Sequence, residues 1–468
     1  MLHVGIEAMN VYAGTACVDV RALARHRQLD LARFDNLLML EKTVALPNED
    51  PVTFAVNAAR PLVDALSPQE KDRIEMVITC TESSFDFGKS LSTYVHQLLG
   101  LNRNCRLFEL KNACYSGVAG LQMAVNFILA QTSPGARVLV VATDISRFLM
   151  DEDTHDQDWS FAEPSGGAGA VAMLVGEDPQ VFRIDVGANG YYGYEVMDTC
   201  RPSADSEAGD ADLSLLSYLD CCENAYLEYR KRVPQEDYAS SFQYLAFHTP
   251  FGGMIKGAHR SLMRKLAPAA SAEIELDFNR RVAPGLDYCQ RVGNTMGAAA
   301  MVSLASTIAN GRFDTPQRVG CFSYGSGCCS EFFSGVATSA GQARLRTMDI
   351  GRRLDQRYRL SMAEYDEILS GGGVVRFGTR NATLAERYTP APTDGQGATL
   401  FLRRIQDYHR EYAWAAYRRQ APQWSPGAMA MCATCSCTGP TPATPSTAPC
   451  WRNAARCCAT ARRGRGWW

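Results

Sequence analysis

The sequence predicts an α/β fold, and three observations carry that reading. Short apolar, strand-like runs recur along the chain. Helical patterns lie between many of them. The composition, 46% hydrophobic and 21% charged over 468 residues, suits a globular chain large enough for two or three average domains or one large α/β unit.

Taken in order, the strand-like runs are Met76–Thr79, Leu107–Leu110, Val138–Ala142, Val171–Val175, Tyr244–Phe247 and Val319–Tyr324. Val52–Leu66 and Gly117–Leu129 carry helical patterns. The polar, acidic stretch Ala204–Asp212 reads as a surface loop. A division after the Val171–Val175 run gives an N-terminal unit, 1–180, and a second unit, 181–416. No internal sequence repeat is visible. The glycine-rich Gly166-Gly-Ala-Gly lacks both the Lys-Ser/Thr of a phosphate loop and the spacing of a dinucleotide fingerprint, so it reads as close packing.

From Tyr417 to Trp468 the text changes character. It is rich in Ala, Pro, Arg and Cys, holds four of the six tryptophans and has no acidic residue. A frameshifted or read-through coding end, disordered in structure, is the favoured reading. A zinc appendage on Cys432, Cys435 and Cys437 is the alternative, but the partners needed for a closed site are poorly spaced.

Formal net charge is −3; without the seven arginines of 417–468 the body has 40 basic against 50 acidic residues. An acidic body argues against nucleic acid as a partner. No charged-then-apolar leader and no apolar run of membrane-spanning length is present, so a cytoplasmic protein with no membrane partner is expected. Of 17 cysteines, eleven lie in the body and read as free thiols. The pairs Cys221-Cys222 and Cys328-Cys329 lack metal-ligand spacing and are assigned to packing; no metal site is expected.

Three segments carry chemistry. Cys114 follows an apolar run and precedes a helical pattern, where helix N–H groups and the helix dipole favour a nucleophilic thiolate. A small buried cysteine has the same local signature. Glu82 follows a strand in Thr-Glu-Ser-Ser, at a carboxyl end where open α/β sheets bind ligands; a solvated loop carboxylate is the plain alternative. His248 ends another strand before Pro250, as a hydrogen-bonded core histidine also would.

Together these segments resemble the 3-hydroxy-3-methylglutaryl synthase family of the thiolase superfamily, from Gly5 to about Ala416. The matching motifs are Asn-Ala-Cys114-Tyr, Thr-Glu82-Ser, Phe-His248-Thr-Pro-Phe, Ala-Thr-Asp144, Gly166-Gly-Ala-Gly, Val-Gly-Asn294 and Phe-Ser-Tyr-Gly-Ser326-Gly. Tyr191–Pro202, with Asp198, and Gly325–Phe333 resemble the branch that acts on acyl carrier proteins in polyketide β-branching. The resemblance implies a thiolase fold: two pseudo-symmetric halves in five αβαβα layers. It also implies a homodimer with no bound cofactor. Phosphopantetheine thioesters are its substrates, brought by donor and acceptor carrier proteins of a modular polyketide synthase. A decarboxylating ketosynthase, a dehydratase and a decarboxylase would act in the same cassette.

The implied reaction moves an acetyl group onto Cys114, adds its enol form to the β-ketone of an acetoacetyl-type thioester, and releases the product with water. Glu82 then serves as acid and base. His248 positions the acceptor and Asn294 orients nearby groups. The backbone N–H of Cys114 and an amide within Gly325-Ser326-Gly327 stabilise the oxyanion. Asp144 and Asp198 match supporting positions. Lys256 and Arg260, on a basic helical stretch, are candidates to contact pantetheine or carrier protein. Coenzyme A-using relatives tend to carry a lysine where Gly253 stands. The alternatives are a hydroxymethylglutaryl-CoA synthase of mevalonate metabolism, a ketosynthase or thiolase, and a non-catalytic scaffold.

Overall fold

The run Val138–Ala142 shows how the layers arise. Val138, Val140 and Ala142 join one apolar cluster, and Leu139 and Val141 join another. Side chains alternate along a strand, so one that is apolar at every position is buried on both faces.

The computed structural model of the protein describes residues 2–146, 163–203, 206–370, 375–385 and 398–415. Its principal sheet has nine strands: β1 (Gly5–Tyr12), β2 (Ile74–Cys80), β3 (Arg106–Leu110), β4 (Arg137–Ile145), β5 (Ala168–Gly176), β6 (Phe182–Gly193), β7 (Tyr244–Phe247), β8 (Gln317–Gly325) and β9 (Cys329–Ala337). Their order is β7-β8-β9-β6-β1-β5-β4-β2-β3. β1 and β6 pair only over Gly5↔Arg183 and Ile6↔Phe182, so a narrow seam joins two half-sheets.

The halves repeat one pairing scheme. In the first, β1–β5 and β5–β4 are antiparallel and β4–β2 is parallel. In the second, β6–β9 and β9–β8 are antiparallel and β8–β7 is parallel. Backbone pairing and burial carry this symmetry without identical residues, which is why no sequence repeat discloses it.

Five helices complete the layers: α1 (Pro51–Asp64), α2 (Ser116–Leu129), α3 (Ala211–Arg232), α4 (Gly252–Leu266) and α5 (Ala299–Asn310). α1 covers the outer face of the first half-sheet. α2 and α5 lie in the central cluster with residues of both half-sheets. α3 and α4 pack on Phe322 and Phe332 at the outer face of the second. The order is αβαβα. α2 begins hard against the loop before α5: a Cβ on Gly117 would lie 2.1 Å from the Gly297 carbonyl oxygen.

All six sequence-predicted strands and both predicted helices form, with ends within a few residues of those expected; Tyr244–Phe247 is unchanged, and the helix expected to reach Leu66 stops at Asp64. β1, β6 and β9 escaped sequence reading because polar residues and glycines interrupt them. Within β1, Glu7 and Asn10 are buried but paired: Arg137 Nε donates to Glu7 at 2.7 Å and Asn10 Nδ2 to the Ala58 carbonyl at 2.8 Å. The loop expected at Ala204–Asp212 is corrected. Ser206–Gly209 pairs as a strand with Thr199–Ser203, and α3 begins at Ala211, its Leu213 N–H accepted by Asp210 at 2.9 Å. Met1–Gln423 forms one compact unit. The readings of 417–468, Cys432, Cys435 and Cys437 included, lie outside the described residues.

Gly117→Ala is expected to destabilise the fold by about 1–3 kcal/mol, because both backbones must shift to admit the methyl group. Urea unfolding against the parent protein measures this.

Candidate active site

β3 delivers Cys114. After Leu110 the chain turns tightly: Ala113 has φ of 42°, in the left-handed region unfavourable to residues with a Cβ. Tyr115 N–H donates to the Asn112 carbonyl at 3.1 Å and Ser116 N–H to that of Ala113 at 3.2 Å. α2 starts at Ser116, so Cys114 stands just ahead of the helix N-terminus, partly exposed. The end of β8 presses on this turn. A Cβ at Gly325 would come within 2.7 Å of Tyr115 N and 2.8 Å of the Asn112 oxygen. Tyr115, whose direction the sequence left open, reaches β9 and donates to Glu331 at 2.6 Å.

Glu82 follows β2, and Asp144 fixes its turn. One Asp144 oxygen accepts from Thr81 Oγ1 (2.9 Å), Glu82 N (2.8 Å), Ser83 N (3.1 Å) and Ser83 Oγ (2.9 Å). The other accepts from Gly297 N at 2.9 Å. Burial pushes the Asp144 pKa up, while Arg201 and the donated N–H groups oppose the rise. Asp144 thus ties the Glu82 turn to the loop before α5, and that loop abuts α2.

Arg201 is the residue the sequence reading passed over. Its guanidinium donates to Ser83 Oγ at 2.8 Å, the Glu82 carbonyl at 3.3 Å and the Ile145 carbonyl at 3.0 Å. Its Nε lies 3.8 Å from the Glu82 carboxylate, and both side chains are largely buried. Its signal was a cation three residues after Asp198 in a quoted motif, but nothing local told a buried clamp from a surface arginine.

His248 follows β7, the topological counterpart of β2, so His248 and Glu82 stand at equivalent strand ends. Its N–H donates to the Phe322 carbonyl at 2.7 Å, and Tyr218 OH on α3 donates to the His248 carbonyl at 2.7 Å. The ring is buried, and its Nδ1 has no hydrogen-bond partner among the described residues. Burial lowers its pKa to about 3, so the imidazole is neutral.

Asn294 is seated by the glycine-rich stretch, as close packing predicts. Gly167 N–H donates to the Asn294 carbonyl at 2.9 Å, and Asn294 N–H to that of Ser165 at 2.7 Å. Its own Oδ1 accepts from Met296 N at 3.0 Å. Asp198 is buried and holds the β8–β9 turn: Tyr324 OH donates to it at 2.5 Å and Gly327 N–H at 2.9 Å. The Gly327 N–H, one of the three amides among which the oxyanion donor was expected, is thus bonded to Asp198. Ser326 Oγ itself accepts from Thr199 Oγ1 at 2.7 Å.

Lys256 and Arg260 lie on α4 and face Glu275. Lys256 Nζ is 2.6 Å from it and Arg260 Nη2 4.0 Å. Gly253 is covered by the loop that follows the short helix Leu31–Asp35: a Cβ there would lie 2.0 Å from the Asn36 carbonyl oxygen. Any larger residue at 253 requires that loop to move. Among the described residues no group of three His, Cys, Asp or Glu side chains could hold a metal ion.

A partly exposed thiol, a carboxylate beside a guanidinium and a buried neutral imidazole suit acyl transfer followed by proton transfer at carbon. Comparisons with known proteins agree. The family described as hydroxymethylglutaryl-coenzyme A synthase N terminal matches residues 2–180, and its C-terminal counterpart matches residues 258–415. The polyketide biosynthesis 3-hydroxy-3-methylglutaryl-ACP synthase PksG of Bacillus subtilis is 66% identical over 418 residues, covering 88% of this chain and 100% of that protein. The curacin biosynthetic pathway HMG synthase, solved in complex with acetyl donor-ACP, superposes with a TM-score of 0.85 at 62% identity, covering 88% of this chain and 100% of that one. A hydroxymethylglutaryl-CoA synthase of Enterococcus faecalis is 33% identical over 372 residues, covering 79% of this chain and 92% of that protein.

Asp144→Asn turns an amide N–H₂ toward backbone N–H donors on one side. It is expected to cost about 1–3 kcal/mol in urea unfolding, the penalty of an unsatisfied buried donor. The His248 ring is expected to show no titration between about pH 5 and 8 by ¹⁵N NMR. Its pKa falls from 6.5 to about 3 on folding, so the unfolded chain takes the proton first. The stability from keeping it neutral is therefore complete above 6.5 and is lost as pH falls toward 3.

Proposed function

The chain belongs to the hydroxymethylglutaryl-coenzyme A synthase family, and from that premise we propose that it is the acyl-carrier-protein form of the enzyme, acting in polyketide β-branching. It is an acyltransferase that forms a carbon–carbon bond. The observation that carries this reading is the 66% identity to an ACP-dependent synthase across that protein's whole length, against 33% to a CoA-dependent one. The covered Gly253 supports it, because a lysine there meets the Asn36 carbonyl.

In this reading the Cys114 sulfur attacks the carbonyl of acetyl-ACP, and the carrier's phosphopantetheine thiol leaves. The Cys114 N–H and an amide of Gly325 or Ser326 hold the oxyanion. Glu82 takes a proton from the acetyl methyl group. The resulting carbanion adds to the β-ketone of an acetoacetyl-type intermediate on the acceptor carrier protein. The same proton then passes from Glu82 to the new tertiary oxygen, so one carboxyl balances the step. Water cleaves the Cys114 thioester, leaving a carboxylate on the product and restoring the thiol.

Arg201 and Asp144 fix the direction of Glu82. A neutral His248 suits this chemistry, since it orients the acceptor by hydrogen bond and leaves proton traffic to Glu82. Asn294 and Asp198 hold the loops around the nucleophile. We take the protein to act as a cytoplasmic homodimer meeting donor and acceptor carrier proteins, with phosphopantetheine thioesters as substrates and no resident cofactor.

Intact mass tests the first step. A rapid gain of about 42 Da, one acetyl group on the nucleophile, is expected from acetyl-ACP, and none in Cys114→Ser. Equal or faster loading from acetyl-CoA reverses the carrier preference. Glu82→Gln is expected to keep acetyl loading yet lose condensation by at least about a hundredfold, the usual size of an acid–base contribution.

A further inference from the structure

The two cysteine pairs assigned to packing each send one member to the same place. Cys221 Sγ on α3 and Cys328 Sγ in the β8–β9 turn lie 3.4 Å apart, both as free thiols. Cys221 is fully buried and Cys328 partly exposed. A disulfide needs about 2.05 Å between sulfurs, so a movement of little more than ~1 Å joins them.

The pair bridges two parts of the active-site wall. Tyr218, three residues before Cys221 and so on the same face of α3, donates to the His248 carbonyl at 2.7 Å. The β8–β9 turn begins at Gly325, which packs on the Cys114 turn. Its Gly327 N–H is held by Asp198 at 2.9 Å and its Cys328 N–H by the Tyr194 carbonyl at 2.7 Å. Drawing Cys328 toward α3 therefore shifts a turn that both bonds hold.

We propose that Cys221 and Cys328 form a thiol–disulfide modification site, oxidised by peroxide-class oxidants, whose closure displaces the turn behind Cys114. The more accessible Cys328 sulfur attacks one peroxide oxygen. The O–O bond breaks, giving a sulfenic acid and one water. The Cys221 sulfur then attacks the Cys328 sulfur; the S–O bond breaks and a second water leaves. The two thiols lose two electrons and two protons, and hydrogen peroxide is reduced to two waters. A dithiol reductant reverses the change.

The test has two arms. In full-length Cys114→Ala protein, where the nucleophile cannot react, hydrogen peroxide is expected to produce a linked peptide joining residues 221 and 328 in a non-reducing digest. Intact mass should fall by about 2 Da and recover with dithiothreitol. Oxidation at 221 or 328 without that link overturns the proposal. This arm makes no use of the reaction, so it stands apart from the proposed function. In the second arm, peroxide is expected to lower turnover about tenfold more in the parent protein than in Cys221→Ala or Cys328→Ala, because misplacement by about 1 Å at a reacting site costs that much or more. Equal losses in the parent and in whichever variant folds overturn the effect on the turn.

Discussion

The Asp144 carboxylate is the constraint on which the site depends. It is fully buried, yet it accepts hydrogen bonds from the Glu82 turn with one oxygen and from Gly297 with the other. A buried carboxylate is tolerable only when its lone pairs are met, and here backbone and hydroxyl donors meet them. The arrangement fixes β2, β4 and the loop before α5 relative to one another. Since Gly117 abuts Gly297, the same contact also sets where α2 begins, and hence where Cys114 stands. The Cys114 and Glu82 turns are therefore both placed by one buried anion.

The pairing scheme explains why residues so distant in sequence converge. Glu82 and His248 lie beyond β2 and β7, which hold the same place in their half-sheets. Cys114 follows the edge strand β3, and the end of β8 packs against its turn at Gly325. The two equivalent positions carry different chemistry because their surroundings differ. Glu82 faces a guanidinium, which favours charge. His248 is enclosed by α3 and β8 with no charge to offset burial, which favours the neutral ring.

Two glycines decide what can approach. Gly325 lets β8 end against the Cys114 turn, and Gly253 lets the Asn36 carbonyl sit at the head of α4. In both places a missing Cβ is filled by backbone. Lys256 and Arg260 are likewise occupied, by Glu275, so a basic helix in the sequence is in part an ion-paired one in the fold. Charge counts cannot show this, because the pairing acid lies on the next helix.

By itself the sequence determined the elements whose signal is local. Strands buried on both faces read as unbroken apolar runs, so β2, β4 and β5 were legible, and so was the turn-to-helix setting of Cys114. Glu82 and His248 were legible as strand-end polar residues. Tertiary structure alone decided the rest, because the decisive partners are remote. β1 hides behind Glu7 and Asn10, whose polarity is cancelled by Arg137 and Ala58 across the fold. Arg201 becomes a clamp only when Ser83 and Ile145 meet it. The Gly327 N–H is bonded to Asp198, a partner more than a hundred residues away that no local pattern discloses. Periodicity reports which face of an element is buried; it carries no information on which polar group will stand opposite.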